Sequence, residues 1–208
     1  MSGLEKTAIS WKCSGEKVFL DFPYLQIIER LCLPEKAPAD ANAHRFYVFK
    51  SRDWCNVIPV TEEGNVVLVR QFRAGTLQTS LEFPGGVVES NDADVQATAL
   101  REMIEETGYE PVAGAKCSLL GVSHPNPALQ DNRMHSLIVG PVKKTRSQSL
   151  DPAEDIEVIE VPIRDFPRLI AEGEFSHALM LTSLLHLMMK NDGAEARMAD
   201  GIRRYTGA

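Results

Sequence analysis

The stretch that most restricts this chain is LEFPGGVVESNDADVQATALREMIEETGY, from Leu81 to Tyr109. Its second half predicts a helix: Asn91, Asp92 or Asp94 can cap the N-terminus, and Gly108 supplies the stop. Stepping 100° per residue sorts that helix into faces. Val95, Ala99, Leu100, Met103 and Ile104 fall on one arc, toward a core, while Glu102, Glu105 and Glu106 share another. Carboxylates at i, i+3 and i+4 repel one another, and such neighbours mildly destabilise a helix. A divalent cation converts the repulsion into coordination, and oxygen donors without His or Cys suit Mg2+ or Mn2+. Arg101, one turn before Glu105, is placed to hold that carboxylate. Alone, the triplet is equally what a solvated acidic face looks like, so its neighbours decide. Pro84-Gly85-Gly86 precedes the helix as a strand-ending loop, where backbone can approach a ligand closely.

With those glycines ahead of it, the segment resembles the Nudix box. That pattern is Gly, five residues, Glu, seven residues, Arg-Glu, an apolar residue, any residue, Glu-Glu, any residue, Gly and an apolar residue. Gly86, Arg101, Glu102, Met103, Glu105, Glu106, Gly108 and Tyr109 match it. The chain departs in one place: Gly86 to Arg101 is one residue longer than the pattern, and Asp92 or Asp94 stands where the early Glu belongs. The resemblance implies an α/β fold, a Nudix α/β/α sandwich with a mixed sheet, here carrying an N-terminal β-strand extension. It also implies a metal site of Glu102, Glu106, Glu105 and the Gly85 carbonyl, with Glu105 a ligand or a water anchor.

A chain of 208 residues can bury one substantial core, so one domain with an extension is expected. We expect the extension over residues 1–53, the main domain over 54–190 and a loose tail over 191–208. The net charge of −7 argues against non-specific nucleic-acid binding, which depends on Lys and Arg at phosphates. Cys13, Cys32, Cys55 and Cys117 lack CxxC spacing and read as unpaired thiols in a reducing compartment. No apolar run spans a bilayer and the first residues lack a signal-peptide core, so no membrane partner is expected and the cytoplasm is the expected location.

In order, Lys17–Leu20, Leu25–Leu33 and Arg45–Lys50 read as strands of the extension, broken by Phe22-Pro23-Tyr24 and a polar turn near Pro34 to Ala43. Their apolar alternation without a covering helix predicts a homodimer. Trp54–Thr61 and Val66–Phe72 predict a hairpin about Glu63-Gly64-Asn65. Arg70 and Arg73, three apart, belong on opposite faces of a straight strand. Further strands are expected at Lys116–Ser123, Met134–Val142 and Ile156–Ile163, with helices at Asp165–Glu172 and Ser176–Met189. In the second helix, Ala178, Leu179, Leu181, Leu184, Leu185 and Leu187–Met189 are the expected packing residues. The polar segment Thr145–Asp155 has few apolar anchors and is expected to be mobile.

The extension, VRQFR, LEFPGG and GEFSHA resemble the ADP-ribose and nucleoside-diphosphate-sugar pyrophosphatases of the same superfamily, over about residues 11–190. That likeness favours Arg73 and Glu82 beside the substrate, and draws Asn126, Asn132, Arg133 and His135 as further contacts. It implies a general base entering from the loop before Ile156, for which Glu154 fits best and Asp151, Asp155 and Glu157 are rivals. The implied activity is cleavage of a pyrophosphate bond in ADP-ribose or a related nucleotide sugar. Alternatives are dinucleoside polyphosphate or coenzyme A hydrolysis, RNA decapping, or a non-catalytic regulator. Retention of Arg101, Glu102, Glu105 and Glu106 speaks against the last.

Overall fold

A computed structural model of the chain describes residues 10–190. The expected tail over 191–208 and the first nine residues of the extension lie outside the described residues. Two compact units emerge. One comprises the described residues up to Arg52 together with His124–Asn132; the other comprises Asp53–Ser123 and the described chain from Arg133 onward.

The first unit is an antiparallel sheet of three strands in sequence order, β1 (Trp11–Phe22), β2 (Leu25–Pro34) and β3 (His44–Lys50). The His124–Asn132 segment runs along β3, where the Phe49 amide donates to the Leu129 carbonyl at 2.7 Å and Asp131 meets Arg30 of β2 at 3.2 Å. One expectation is corrected here. Cys13 and Cys32 are joined as a disulfide, because the hairpin folding about Pro23-Tyr24 sets them opposite each other with Cα atoms 4.0 Å apart. Cys55 and Cys117 remain free thiols.

The second unit is built on a mixed sheet. Its main path is β10 (Ile156–Pro162), β5 (Asn65–Arg73), β4 (Trp54–Thr61), β9 (Met134–Lys144) and β8 (Tyr109–Ser123), and only the β4–β9 pair is parallel. β4 and β5 meet at the single register pair Val60–Val66 beside their hairpin and then diverge. Two short strands fill the wedge: β6 (Gln78–Glu82) pairs the far end of β5, and β7 (Gly85–Val87) pairs Trp54–Asn56 of β4. Gly85 and Gly86, expected in a loop, therefore belong to a strand. Their partners lie some thirty residues upstream, beyond the reach of local propensity.

Strand period two sends alternate residues to opposite faces, and the apolar residues occupy both. Val57 of β4, Val67 of β5 and Leu137 of β9 pack with Ala99 and Met103 of α1 (Val95–Thr107). Their neighbours Ile58, Val66, Leu68 and Phe83 pack with Phe166 and Leu169 of α2 (Phe166–Ala171), Phe175, and Met180 and Leu184 of α3 (Ala178–Met189). The result is the expected sandwich of helix, mixed sheet and helices. No helix among the described residues is long and apolar enough to cross a membrane.

α1 begins at Asp94, whose carboxylate accepts from the Gln96 and Ala97 amides at 2.9 Å each. It ends at Gly108 with φ 74°, a left-handed cap that suits glycine. In α3 the buried residues are Met180, Ser183 and Leu184, whereas Leu185, Met188 and Met189 are exposed. The expected packing set was too broad: an outer-layer helix buries one i, i+3, i+4 stripe, not every apolar residue it carries.

Phe175, fully buried, holds its ring 5.2 Å from those of both Phe83 and Phe166. Phe175→Ala is expected to destabilise the protein by about 3–5 kcal/mol, read from urea unfolding. A loss under about 1 kcal/mol would show that this cluster does not anchor the helical layer.

Candidate active site

The wedge between β4 and β5 is where the site forms. From β6 the chain passes through Glu82-Phe83-Pro84 into β7, and the Pro84 carbonyl accepts from the Val57 amide at 3.0 Å. A Cβ on Gly85 would lie 2.2 Å from the Cys55 carbonyl oxygen, so β7 can pair with β4 only if this residue is glycine. With β7 in place, the Gly85 amide donates to Glu106 Oε2 at 2.9 Å. Gly86 faces Glu102: a Cβ there would sit 2.5 Å from Oε1 of that carboxylate.

The three box carboxylates stand in different surroundings. Glu106 is 3% exposed, and burial first, then its Glu102 and Glu154 neighbours, push its carboxyl up to about 8 against the pull of the Gly85 amide. Glu102 is also shifted upward, chiefly by burial, although Arg101 opposes the shift. Glu105 is the open one, with its side chain 43% exposed.

Arg101 binds Glu105 at 3.0 Å as expected, but also Glu102 at 3.0 Å and both oxygens of Asp92 at 3.3 and 3.2 Å. Asp92 additionally accepts from Thr98 Oγ1 and the Glu89 amide. Its carboxyl falls to about 2, with the Arg101 hydrogen bond the main cause. The two open alternatives are thereby divided: Asp94 caps α1, and Asp92 faces the box arginine.

Arg73 and Glu82 form a second ion pair. Nε and Nη2 of Arg73 donate to the two carboxylate oxygens at 2.8 and 2.6 Å. Glu82 is fully buried, which alone would favour its neutral form, but the two hydrogen bonds and the charge of Arg73 outweigh burial and lower its pKa. Arg70 pairs with Glu157 on β10 at 2.8 Å, yet it lines the same cavity as Arg73, so the expected opposite facing does not keep it from the site. Beside these groups lies a cavity of about 850 Å³ whose wall includes Asn56, Arg73, Glu82, Gly85, Gly86 and His177.

Glu154 sits on the loop before β10. Its carboxylate accepts from the Asp151 amide at 3.0 Å, and its charge bears on Glu102 and Glu106. The loop is less free than its composition suggests. Gln148 Nε2 donates to the carbonyls of Glu106 (2.7 Å) and Ile156 (2.9 Å), and the Ser149 amide donates to the Glu105 carbonyl at 2.8 Å. Sequence reading missed these anchors because it looked for apolar residues.

Asn126 and Asn132 belong to the first unit. The Asn126 carbonyl closes a turn, and Asn132 Nδ2 donates to the Arg52 carbonyl at 3.1 Å. The Arg133 amide donates to Asp53 at 2.8 Å with its side chain exposed, and His135 meets Asp53 at 3.0 Å. None of these four lines the cavity. Asn56 does, and was missed: it is buried, accepting from Ser183 Oγ at 2.8 Å, and Ser183 in turn meets Ser136 at 2.8 Å. A lone Asn in the apolar strand WCNVIPVT was its only sequence signal.

The NUDIX domain family model matches residues 51–184. The chain belongs to the Nudix hydrolase family. Among curated Nudix relatives it is 30% identical to an ADP-ribose pyrophosphatase of Bacillus subtilis, over 64% of this chain and 71% of that protein. It is 34% identical to an ADP-sugar pyrophosphatase of Mus musculus, over 62% of each chain. The crystal structure of an ADP compounds hydrolase superposes with a TM-score of 0.71 at 15% identity, covering 88% of this Nudix chain and 95% of that one, which is a likeness of fold.

The Arg73–Glu82 pair yields a stability prediction. Glu82 has a folded pKa below its ordinary 4.5, so it contributes stability above about pH 4.5 that is lost as pH falls through the folded value. Arg73→Met strands a buried carboxylate and is expected to cost about 3 kcal/mol at pH 7, the low end for breaking a buried pair because the guanidinium is half open to solvent. That deficit should shrink below pH 4. A pH-independent deficit in urea titrations would refute the pairing account.

Proposed function

We propose that this Nudix hydrolase cleaves the pyrophosphate bond of ADP-ribose or a related nucleoside diphosphate sugar, using Mg2+ or Mn2+. The observation that carries this reading is Glu106, a buried acid tied to the amide of Gly85, which itself lines a cavity bearing Arg73 and Glu82. Among the described residues no three of His, Cys, Asp and Glu converge on one point as a ready-made chelate. Mg2+ keeps several waters and takes one or two carboxylates together with substrate phosphates. The oxygen-only donor set, with Glu106 left without a guanidinium partner among the described residues, fits such a cation. Glu102, Glu106, Glu105 and the Gly85 carbonyl would hold it. When bound, it would neutralise phosphate charge and polarise the bond to be broken.

The residues divide the remaining tasks. Water adds to one phosphorus, the P–O anhydride bond breaks, and a nucleoside monophosphate and a sugar phosphate leave. Glu154 takes the proton of that water; Glu105 and Glu82 are the next candidates. Arg101 keeps Glu102 and Glu105 oriented, and Arg73, braced by Glu82, binds the substrate. Asn126 and Arg133 remain proposed contacts on the strength of the family resemblance alone.

Assays on a nucleotide-sugar panel with Mg2+ or Mn2+ test the substrate class, and absence of turnover on every member would refute it. Glu106→Gln is expected to abolish turnover while the melting temperature stays within a few degrees of wild type, since an amide of the same shape replaces a carboxyl whose ionisation burial already opposes. Glu154→Gln should lower kcat by about 10²–10⁴ and erase the acidic limb of the pH–rate profile, with metal affinity retained. A loss below about tenfold would move the base elsewhere.

We further propose a homodimer formed through residues 1–53. All 12 residues of β1 are exposed, including Trp11, Phe19 and Phe22, with Phe46 and Tyr47 exposed on β3. An uncovered apolar strand in an acidic, otherwise ordinary chain is best buried by a second copy. Light scattering at micromolar concentration should give twice the chain mass; a monomer there would refute the assignment.

A further inference from the structure

The turn between α2 and α3 carries a side chain to which the reaction described above gives no task. His177 directly precedes α3, and its Nδ1 accepts from the Leu179 amide at 3.2 Å, capping the helix. An accepting Nδ1 leaves Nε2 as the protonated nitrogen of the neutral ring, so the cap fixes both the orientation and the tautomer. No group among the described residues accepts from Nε2. The ring lines the same cavity as Arg73, Glu82 and Gly85.

Several polar groups on the cavity wall already accept hydrogen bonds or ion pairs. Both oxygens of Glu82 are taken by Arg73, and Asn56 Oδ1 is taken by Ser183. Glu174, the other carboxylate on the wall, faces Arg168 at 3.7 Å. Arg73 has spent only two of its five N–H donors on Glu82. Arg73 and His177 therefore both offer donors to the cavity. A phosphate oxygen only accepts and satisfies such a pair, whereas a sugar hydroxyl would also ask for an acceptor.

We propose that His177 is a substrate-binding residue whose Nε2–H donates to a non-bridging phosphate oxygen of the nucleoside diphosphate in this cavity. The proposal rests on the pyrophosphatase reading for the identity of the ligand, and its test does not depend on turnover. His177→Ser keeps a good helix-capping oxygen and removes the cavity donor, whereas His177→Ala removes both. His177→Ser is expected to melt within a few degrees of wild type and His177→Ala lower. Calorimetry with ADP should show about a tenfold weaker affinity in both variants, the cost of one hydrogen bond to a charged acceptor. The KM for ADP-ribose should rise by a similar factor. Unchanged ADP affinity in the folded His177→Ser variant would overturn the proposal, as would failure of the wild type to bind ADP. A raised KM with unchanged ADP affinity would move the contact to the sugar and equally overturn it. Weakened ADP binding in a protein that hydrolyses no nucleotide sugar would sink the catalytic reading and leave His177 standing.

Discussion

The hydrogen bond from the Gly85 amide to Glu106 depends on a sheet that splits. β4 and β5 pair only beside their hairpin, and the wedge beyond accepts β6 and β7. Gly85 must lack a side chain to lie against Cys55, and only from there does its amide reach the buried carboxylate. Gly86, next along, leaves the space that Glu102 occupies. Two adjacent glycines thus couple strand pairing, the setting of two acids and one wall of the cavity. A bulkier residue at Gly85 would push β7 off β4 and take from Glu106 its amide donor among the described residues.

Two guanidiniums distribute the charge around that bond. Arg101 gathers Asp92, Glu102 and Glu105, and Arg73 is committed to Glu82. Among the described residues no guanidinium lies within ion-pair distance of Glu106, and burial drives its carboxyl upward. The periphery is neutralised internally, while the innermost acid is left without a cationic partner among the described residues. An arginine paired directly with Glu106 would have made a more ordinary buried salt bridge.

What could be read from the sequence was what local chemistry determines. Asp94 and Gly108 cap α1 through contacts within a few residues, and the β4–β5 hairpin turns at Gly64 as its sequence requires. The box helix carried its own face assignment, since Ala99 and Met103 are fully buried. Long-range pairing was invisible. β7 exists because Trp54–Asn56 needs a partner, and the Cys13–Cys32 bridge follows from a register that spacing alone does not give. The α3 stripe failed for a related reason: nearly every residue of that helix is apolar, so periodicity could not choose a face, and the sheet chose it. At the site, charged residues in the motif were legible, whereas Asn56, Gln148 and His177 act through hydrogen bonds whose partners the sequence does not display.

The Gln148 contacts also change how the Glu154 loop can move. A helix ends with four carbonyls lacking intrahelical partners. In α1, those of Ile104, Glu105 and Glu106 are taken by the Gly108 amide, the Ser149 amide and Gln148 Nε2. The second bond of Gln148, to the Ile156 carbonyl, closes the neck of the loop where β10 begins. The separation between the carboxylate helix and the loop's two ends is therefore set by hydrogen bonds to backbone carbonyls, not by the charged side chains. Any swing of Glu154 is confined to the residues between Ser149 and Ile156. Because Ser149 and Gln148 hang from the same turn of α1 that presents Glu105 and Glu106, the loop and the carboxylate face share one frame. A base delivered from such a loop would approach the same point at each closure.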